Sequence, residues 1–204
     1  PGEGIEDEDT EIPNSSRDAL ALAKKYEANK EFADALKVYR AAARRFPYSF
    51  AAAELHYGWG RMQEMEGDYG PAFKTYEIIV SKYPNSAFFD KAIERQFNIA
   101  NLFLAGERQK IWKIPTLPSM DKTVEYFEYI VKSAPYSKWA PESQFKIGVA
   151  REKQKKFDEA VKAYEIVLDK YPDSDLAALA QYQIGYAWMQ ASRQPEYYQS
   201  AAAK

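Results

Sequence analysis

Four prolines, each two places before a serine, punctuate this chain: Phe46-Pro47-Tyr48-Ser49, Tyr83-Pro84-Asn85-Ser86, Ala134-Pro135-Tyr136-Ser137 and Tyr171-Pro172-Asp173-Ser174. Proline cannot extend a helix interior and biases its predecessor away from the α region, so each copy ends one helix. The serine two places on is expected to cap the next. Pro47 to Pro84 and Pro135 to Pro172 are both 37 residues, room for two helices of ordinary length and little else. Such punctuation restricts the chain to a series of helical hairpins.

Fixed offsets from each proline strengthen the case. Twelve residues before stand Ala35, Ala72, Thr123 and Ala160, and eight before stand Tyr39, Tyr76, Phe127 and Tyr164. A small residue followed four later by a ring puts both on one helix face, the first admitting a neighbouring helix and the second filling the space beside it. Downstream of the prolines the next helix carries Trp59-Gly60, Ile99-Ala100, Ile147-Gly148 and Ile184-Gly185, a bulky residue followed by a small one. Gly148 and Gly185 are therefore expected to be sites of close helix contact. The interval from Pro84 to Pro135 is 51 residues, with three extra before Ala100 and eleven between the two helices of that unit.

Composition agrees with a packed helical array. Of 204 residues 46% are apolar and 15% aromatic, enough for a continuous core. The net charge is −2, so no bulk basic field draws the chain to nucleic acid. Six acidic residues lie in the first eleven, leaving 28 basic against 24 acidic residues, a net +4, in the remainder. Residues 1–16, with their acids, glycines and Pro13, are expected to form a flexible lead-in. Cysteine is absent, which removes disulfides, thiolate metal sites and cysteine nucleophiles. No apolar run approaches a membrane span.

Nothing in the sequence assembles an active site. His56 is the single histidine, no G-x-S-x-G, P-loop or G-x-G-x-x-G motif accompanies it, and His/Cys metal spacing cannot arise. Acid pairs such as Asp158-Glu159 begin helices, where negative charge complements the macrodipole. The chain is read as a non-enzyme without catalytic residues, cofactor or metal.

These offsets resemble the tetratricopeptide repeat, a family of antiparallel helix pairs that coil into a right-handed α-solenoid superhelix. The resemblance implies an all-α fold over residues 17–204, with repeats at 17–47, 48–84, 85–135 (containing an inserted loop, 105–119), 136–172 and an incomplete 173–204. In that family the residues three before and one after the small position of each first helix face a binding groove. Carried onto this sequence, the rule selects Leu20 and Lys24, Tyr57 and Arg61, Phe97 and Asn101, Phe145 and Val149, and Tyr182 and Tyr186. An aromatic thus recurs in four successive repeats, either as a ladder for an extended aromatic-rich peptide or as buried core. The Lys/Asn/Arg clamp of chaperone adaptors is not reproduced.

The loop in repeat three is rich in large apolar and basic residues, among them Arg108, Lys110, Trp112 and Lys113. Trp112 is expected either to fold back over its own repeat or to dock a partner. A long loop at this place, before an aromatic-rich helix, is similar to the BamD/ComL group of outer-membrane assembly lipoproteins. That resemblance implies a scaffold at the periplasmic face of the outer membrane, held by a lipid anchor not contained in this sequence. Its partners would be a BamA-type barrel-assembly subunit and unfolded outer-membrane protein segments. A periplasmic tetratricopeptide factor of the Tol-Pal or cell-division type is the alternative.

Overall fold

A computed structural model describes residues 11–106, 109–111, 114–116 and 119–193. The helices are α1 (Ser16–Ala28), α2 (Phe32–Arg45), α3 (Ala52–Met65), α4 (Tyr69–Lys82), α5 (Phe89–Ala105), α6 (Met120–Ser133), α7 (Ala140–Lys153), α8 (Phe157–Lys170) and α9 (Ala177–Ala191). Among the described residues the fold is all-α except for one ribbon, in which β1 (Gln109–Ile111) pairs antiparallel with β2 (Ile114–Thr116). Part of the expected loop 105–119 is thus a hairpin rather than irregular chain.

The proline turns end their helices as expected, but the serines act differently. The helix begins three residues beyond each serine, and the N-caps Ala51, Trp139 and Leu176 make no side-chain cap bond. Instead the serine amide donates to the carbonyl three residues back, at Phe46, Tyr83, Ala134 and Tyr171, and the serine carbonyl receives the first helical amide. Ser86 and Ser174 also accept from the amides of Phe88 and Leu176 through their hydroxyls. Two successive turns separate the helices, which displaces the serine from the cap position.

Inside three of the helix pairs, α1–α2, α3–α4 and α7–α8, the turn is a Schellman closure with one residue in the left-handed region. Lys30 (φ 64°), Gly67 (φ 79°) and Lys155 (φ 60°) occupy it. The following amide bonds back five residues, Glu31 to Tyr26, Asp68 to Gln63 and Lys156 to Arg151.

The chain divides into two compact units, residues 1–96 with 109–116, and residues 97–108 with 117–204. In the first unit α1 packs on α2 and α3, and α3 on α4, around Ala23, Ala35, Tyr39, Leu55 and Met62. Ordered structure there begins earlier than residue 17: Ser15 caps α1, Ile12 packs against this core and Arg45 donates to Asn14 Oδ1 at 3.0 Å. In the second unit α6, α7, α8 and α9 pack in sequence order, with Ala160, Tyr164, Val167 and Ala180 at the α8 core. The three extra residues before Ala100 lengthen α5, which has 17 residues where α3 and α7 have 14.

Candidate protein-binding site

Within the first unit the first helices of the pairs are tied together by charge. Lys24 of α1 meets Glu54 of α3 at 2.6 Å, and Arg61 of α3 reaches back to Glu27 of α1. Arg95 of α5 grips Glu64 of α3 with two bonds of 2.7 Å. Glu27 and Glu64 also serve the second helix, since Tyr39 donates to Glu27 at 2.9 Å and Tyr76 to Glu64 at 2.6 Å. Burial, reinforced by the adjoining carboxylate, raises the Tyr39 and Tyr76 hydroxyls well above the usual phenol range. Burial opposes the Arg95 charge, and the Glu64 carboxylate outweighs it, so the guanidinium is held more firmly protonated.

The groove residues of this unit are thus only partly free. Tyr57 is half-buried, its ring 5.2 Å from Phe88 and 5.8 Å from Tyr76, and burial raises its hydroxyl. Arg61 keeps 40% of its side chain exposed but has its charge matched by Glu27. Lys24 is likewise paired. The sequence rule missed Glu27, Glu64 and Arg95; their signal was the placement of Glu27 and Glu64 four residues after Ala23 and Gly60.

In the second unit the aromatic ladder is not continuous. Phe97 is 4% exposed, stacked on Trp139 at 4.8 Å and edge-on to Phe127 at 6.1 Å. Phe145 is 8% exposed, with its ring 5.1 Å from Tyr164. Both belong to the core rather than to an open groove, because each faces the ring of the second helix of its own pair. Asn101 and Val149 are half-buried. Tyr182 at 67% and Tyr186 at 39% are the exposed members of the predicted set in this unit. Of the docking-loop residues, Arg108, Trp112 and Lys113 lie outside the described residues, and Lys110 lies in β1.

Gly148 is a close-contact position: a Cβ there would fall 2.4 Å from the Tyr164 ring. Gly185 is not, since a Cβ there meets nothing within 4 Å. His56 is buried, its ring 6.0 Å from Trp59 and 5.6 Å from Tyr83. Its Nδ1 lies 2.8 Å from the Ala52 carbonyl, which can only accept, so the neutral ring carries its proton there. Among the described residues no three His, Cys, Asp or Glu side chains converge as a metal site, and no helix is long and apolar enough to cross a membrane.

Residues 20–87 match one profile of the tetratricopeptide repeat, and residues 142–174 match another. Those two stretches carry tetratricopeptide repeats. Solved structures similar to this repeat protein include a tetratricopeptide repeat protein from Parabacteroides merdae, 15% identical with a TM-score of 0.50 over 92% of this chain and 66% of that one. MamA is 14% identical with a TM-score of 0.48, covering 90% of this chain and 86% of its own. A putative kinesin light chain from Podosopora anserina, of nearly identical TPR-like repeats, is 14% identical with a TM-score of 0.44, covering 92% and 93%. At such identities the likeness is one of fold alone. No curated protein matches the repeat protein's sequence significantly. Proteins of this fold generally serve as protein-interaction scaffolds, and the fold is typically non-catalytic.

Proposed function

We propose that this repeat protein is a non-catalytic scaffold of the BamD/ComL kind at the periplasmic face of the bacterial outer membrane. There it contacts a BamA-type barrel-assembly subunit and unfolded segments of outer-membrane proteins. The observation that supports this reading is the interruption of the third repeat. The other helix pairs close over three residues, at 29–31, 66–68 and 154–156, whereas α5 and α6 are separated by residues 106–119 with a β-hairpin among them. A stacked pair does not need that length, and a long insertion in a compact array is usually functional.

The test is direct binding between the full chain and the purified periplasmic domains of a BamA-type subunit. Replacing Lys110, Trp112 and Lys113 together by Ala should weaken binding about tenfold or more, as loss of a Trp-centred hot spot does, with helicity unchanged. Undiminished affinity, or no binding by the unaltered chain, would refute the reading.

A further inference from the structure

The four proline turns share one backbone and differ at their tips. In each, the serine amide donates to the carbonyl three residues back and the serine carbonyl receives the first helical amide. The residues on either side of that serine are Tyr48 and Phe50, Asn85 and Ala87, Tyr136 and Lys138, and Asp173 and Asp175. Tips of Asn with Ala, or of two aspartates, form the same bonds, so the turn does not require rings there. Tyr48 and Phe50 are nevertheless fully exposed, at 101% and 111%. They gain nothing from the fold, since an apolar side chain stabilises a structure only by leaving water. Two such rings on one tip call for a contact outside the chain.

The tip is held out by bonds on both sides. Ser49 Oγ donates to the Phe46 carbonyl at 3.0 Å, and Tyr83 of the next turn donates through its hydroxyl to the Pro47 carbonyl at 2.7 Å, which joins the two proline turns of the first unit into one edge. That edge is basic. α2 ends in Arg44 and Arg45, α4 ends in Lys82, and Lys91 lies in the first turn of α5; all four are exposed. Arg44, Arg45 and Lys91 lie over the rings of Trp59, Phe46 and Phe88, at 5.5, 5.4 and 4.8 Å, so aromatic surface and positive charge are interleaved. The acids at the starts of the neighbouring helices are Asp90 and Glu54, and Glu54 pairs with Lys24.

We propose that the α2–α3 turn is a wedge for an anionic lipid bilayer, with Phe50 and Tyr48 entering the headgroup layer and Arg44, Arg45, Lys82 and Lys91 meeting lipid phosphates. Rings flanked by cations are the side chains that settle at a membrane–water interface, and each basic residue near an anionic leaflet adds to the attraction. Cations alone would be ordinary at helix C-termini, where they complement the macrodipole. The exposed rings among them are what a bilayer accounts for. A protruding tip needs a partner that closes around it, and lipid does so without a preformed pocket. Charge spread over two turns matches a sheet of headgroups better than a single carboxylate. The contact is peripheral and reversible, and it uses no residue of the repeat-three hairpin, so it stands or falls apart from the barrel-assembly reading.

The experiment sediments the full chain with vesicles of phosphatidylcholine alone and of phosphatidylcholine with phosphatidylglycerol at about 7:3. The chain should bind the mixed vesicles only, and salt should release it. Phe50→Ala should weaken binding about tenfold with helicity unchanged, because the ring is fully exposed, and Lys82→Glu together with Lys91→Glu should weaken it at least as much. The chain has no cysteine, so one introduced thiol can carry an environment-sensitive dye. On Asn85→Cys, in the adjoining turn, the dye should shift to the blue with mixed vesicles. On Asn29→Cys, at the far end of the α1–α2 pair and about 20 Å away along α2, it should not. No binding, equal binding to both vesicles, full binding by Phe50→Ala, or a shift at Asn29→Cys as large as at Asn85→Cys would overturn the proposal. So would binding that appears only after residues 1–11 are removed, which would give the edge to the chain's own acidic segment. A lipid-free dimer that Phe50→Ala disperses would give it to a second copy, and a Phe50-dependent complex with polyglutamate but not with vesicles would give it to an acidic protein; either overturns the proposal equally.

Discussion

Two glycines in equivalent registers of α7 and α9 have opposite surroundings, and they illustrate how local the constraints on single residues are. Gly148→Leu drives its side chain into the Tyr164 ring and should cost about 1–3 kcal/mol by overpacking, while Gly185→Leu should leave thermal unfolding unchanged. The glutamates that follow glycines by four places also divide. Glu64 binds Arg95 through two bonds and Tyr76 through a third, so Glu64→Gln should destabilise the fold by about 1–3 kcal/mol in urea titrations. Glu152 has no such arginine; burial raises its carboxyl, and Tyr164 only partly offsets this. A carboxyl raised in the fold favours stability while protonated, and that contribution is lost as pH rises through its folded pKa. Glu152→Gln should therefore raise the melting temperature at pH 7, and the gain should vanish in acid. A loss of stability at pH 7 would show Glu152 to be paired favourably.

Among elements, the hairpin turns are the least optimised pieces of the repeat. Lys30 and Lys155 adopt the left-handed conformation that Gly67 adopts freely, and a side chain there costs about 1 kcal/mol. Lys155→Gly should relieve most of that and raise the urea midpoint; a fall would mean that the lysine side chain contributes more than its backbone strain costs. Helix ends of this kind were legible in the sequence because they follow from short-range rules: each proline turn ends a helix, and each small-x-x-x-aromatic pair sits on one face. The serine cap was misread because the turn between helices is two residues longer than a single cap allows. The aromatic ladder was half right for a different reason. Spacing puts Phe97 and Tyr182 in similar registers, but whether a ring is open depends on what the adjoining helix brings, Trp139 and Phe127 for Phe97. The spacing of Glu27 and Glu64 four after Ala23 and Gly60 marks the two carboxylates, but their partners Arg61 and Arg95, 34 and 31 residues away, carry no local signature that separates them from ordinary surface charge.

For the molecule as a whole, His56 is the single side chain whose ordinary pKa lies between pH 5 and 8. Burial lowers its pKa, and the bond to Ala52 opposes that only in part. The unfolded chain takes up its proton first as pH falls, so stability is complete above about pH 6.5 and declines from there towards the lower folded pKa. His56→Gln should flatten this decline in urea midpoints measured between pH 7.5 and 5; an unchanged slope would place its origin elsewhere. The placement of that imidazole has a consequence for light emission. Trp59 lies beside it, Trp139 lies flat on Phe97, and Trp188 stands in solvent at the surface of α9. With Trp112 replaced by Phe, the three remaining indoles in three surroundings give the chain an optical map of itself: protonation at His56 dims one, loosening of α5 from α7 shifts the second to the red, and any cover laid on α9 shifts the third to the blue.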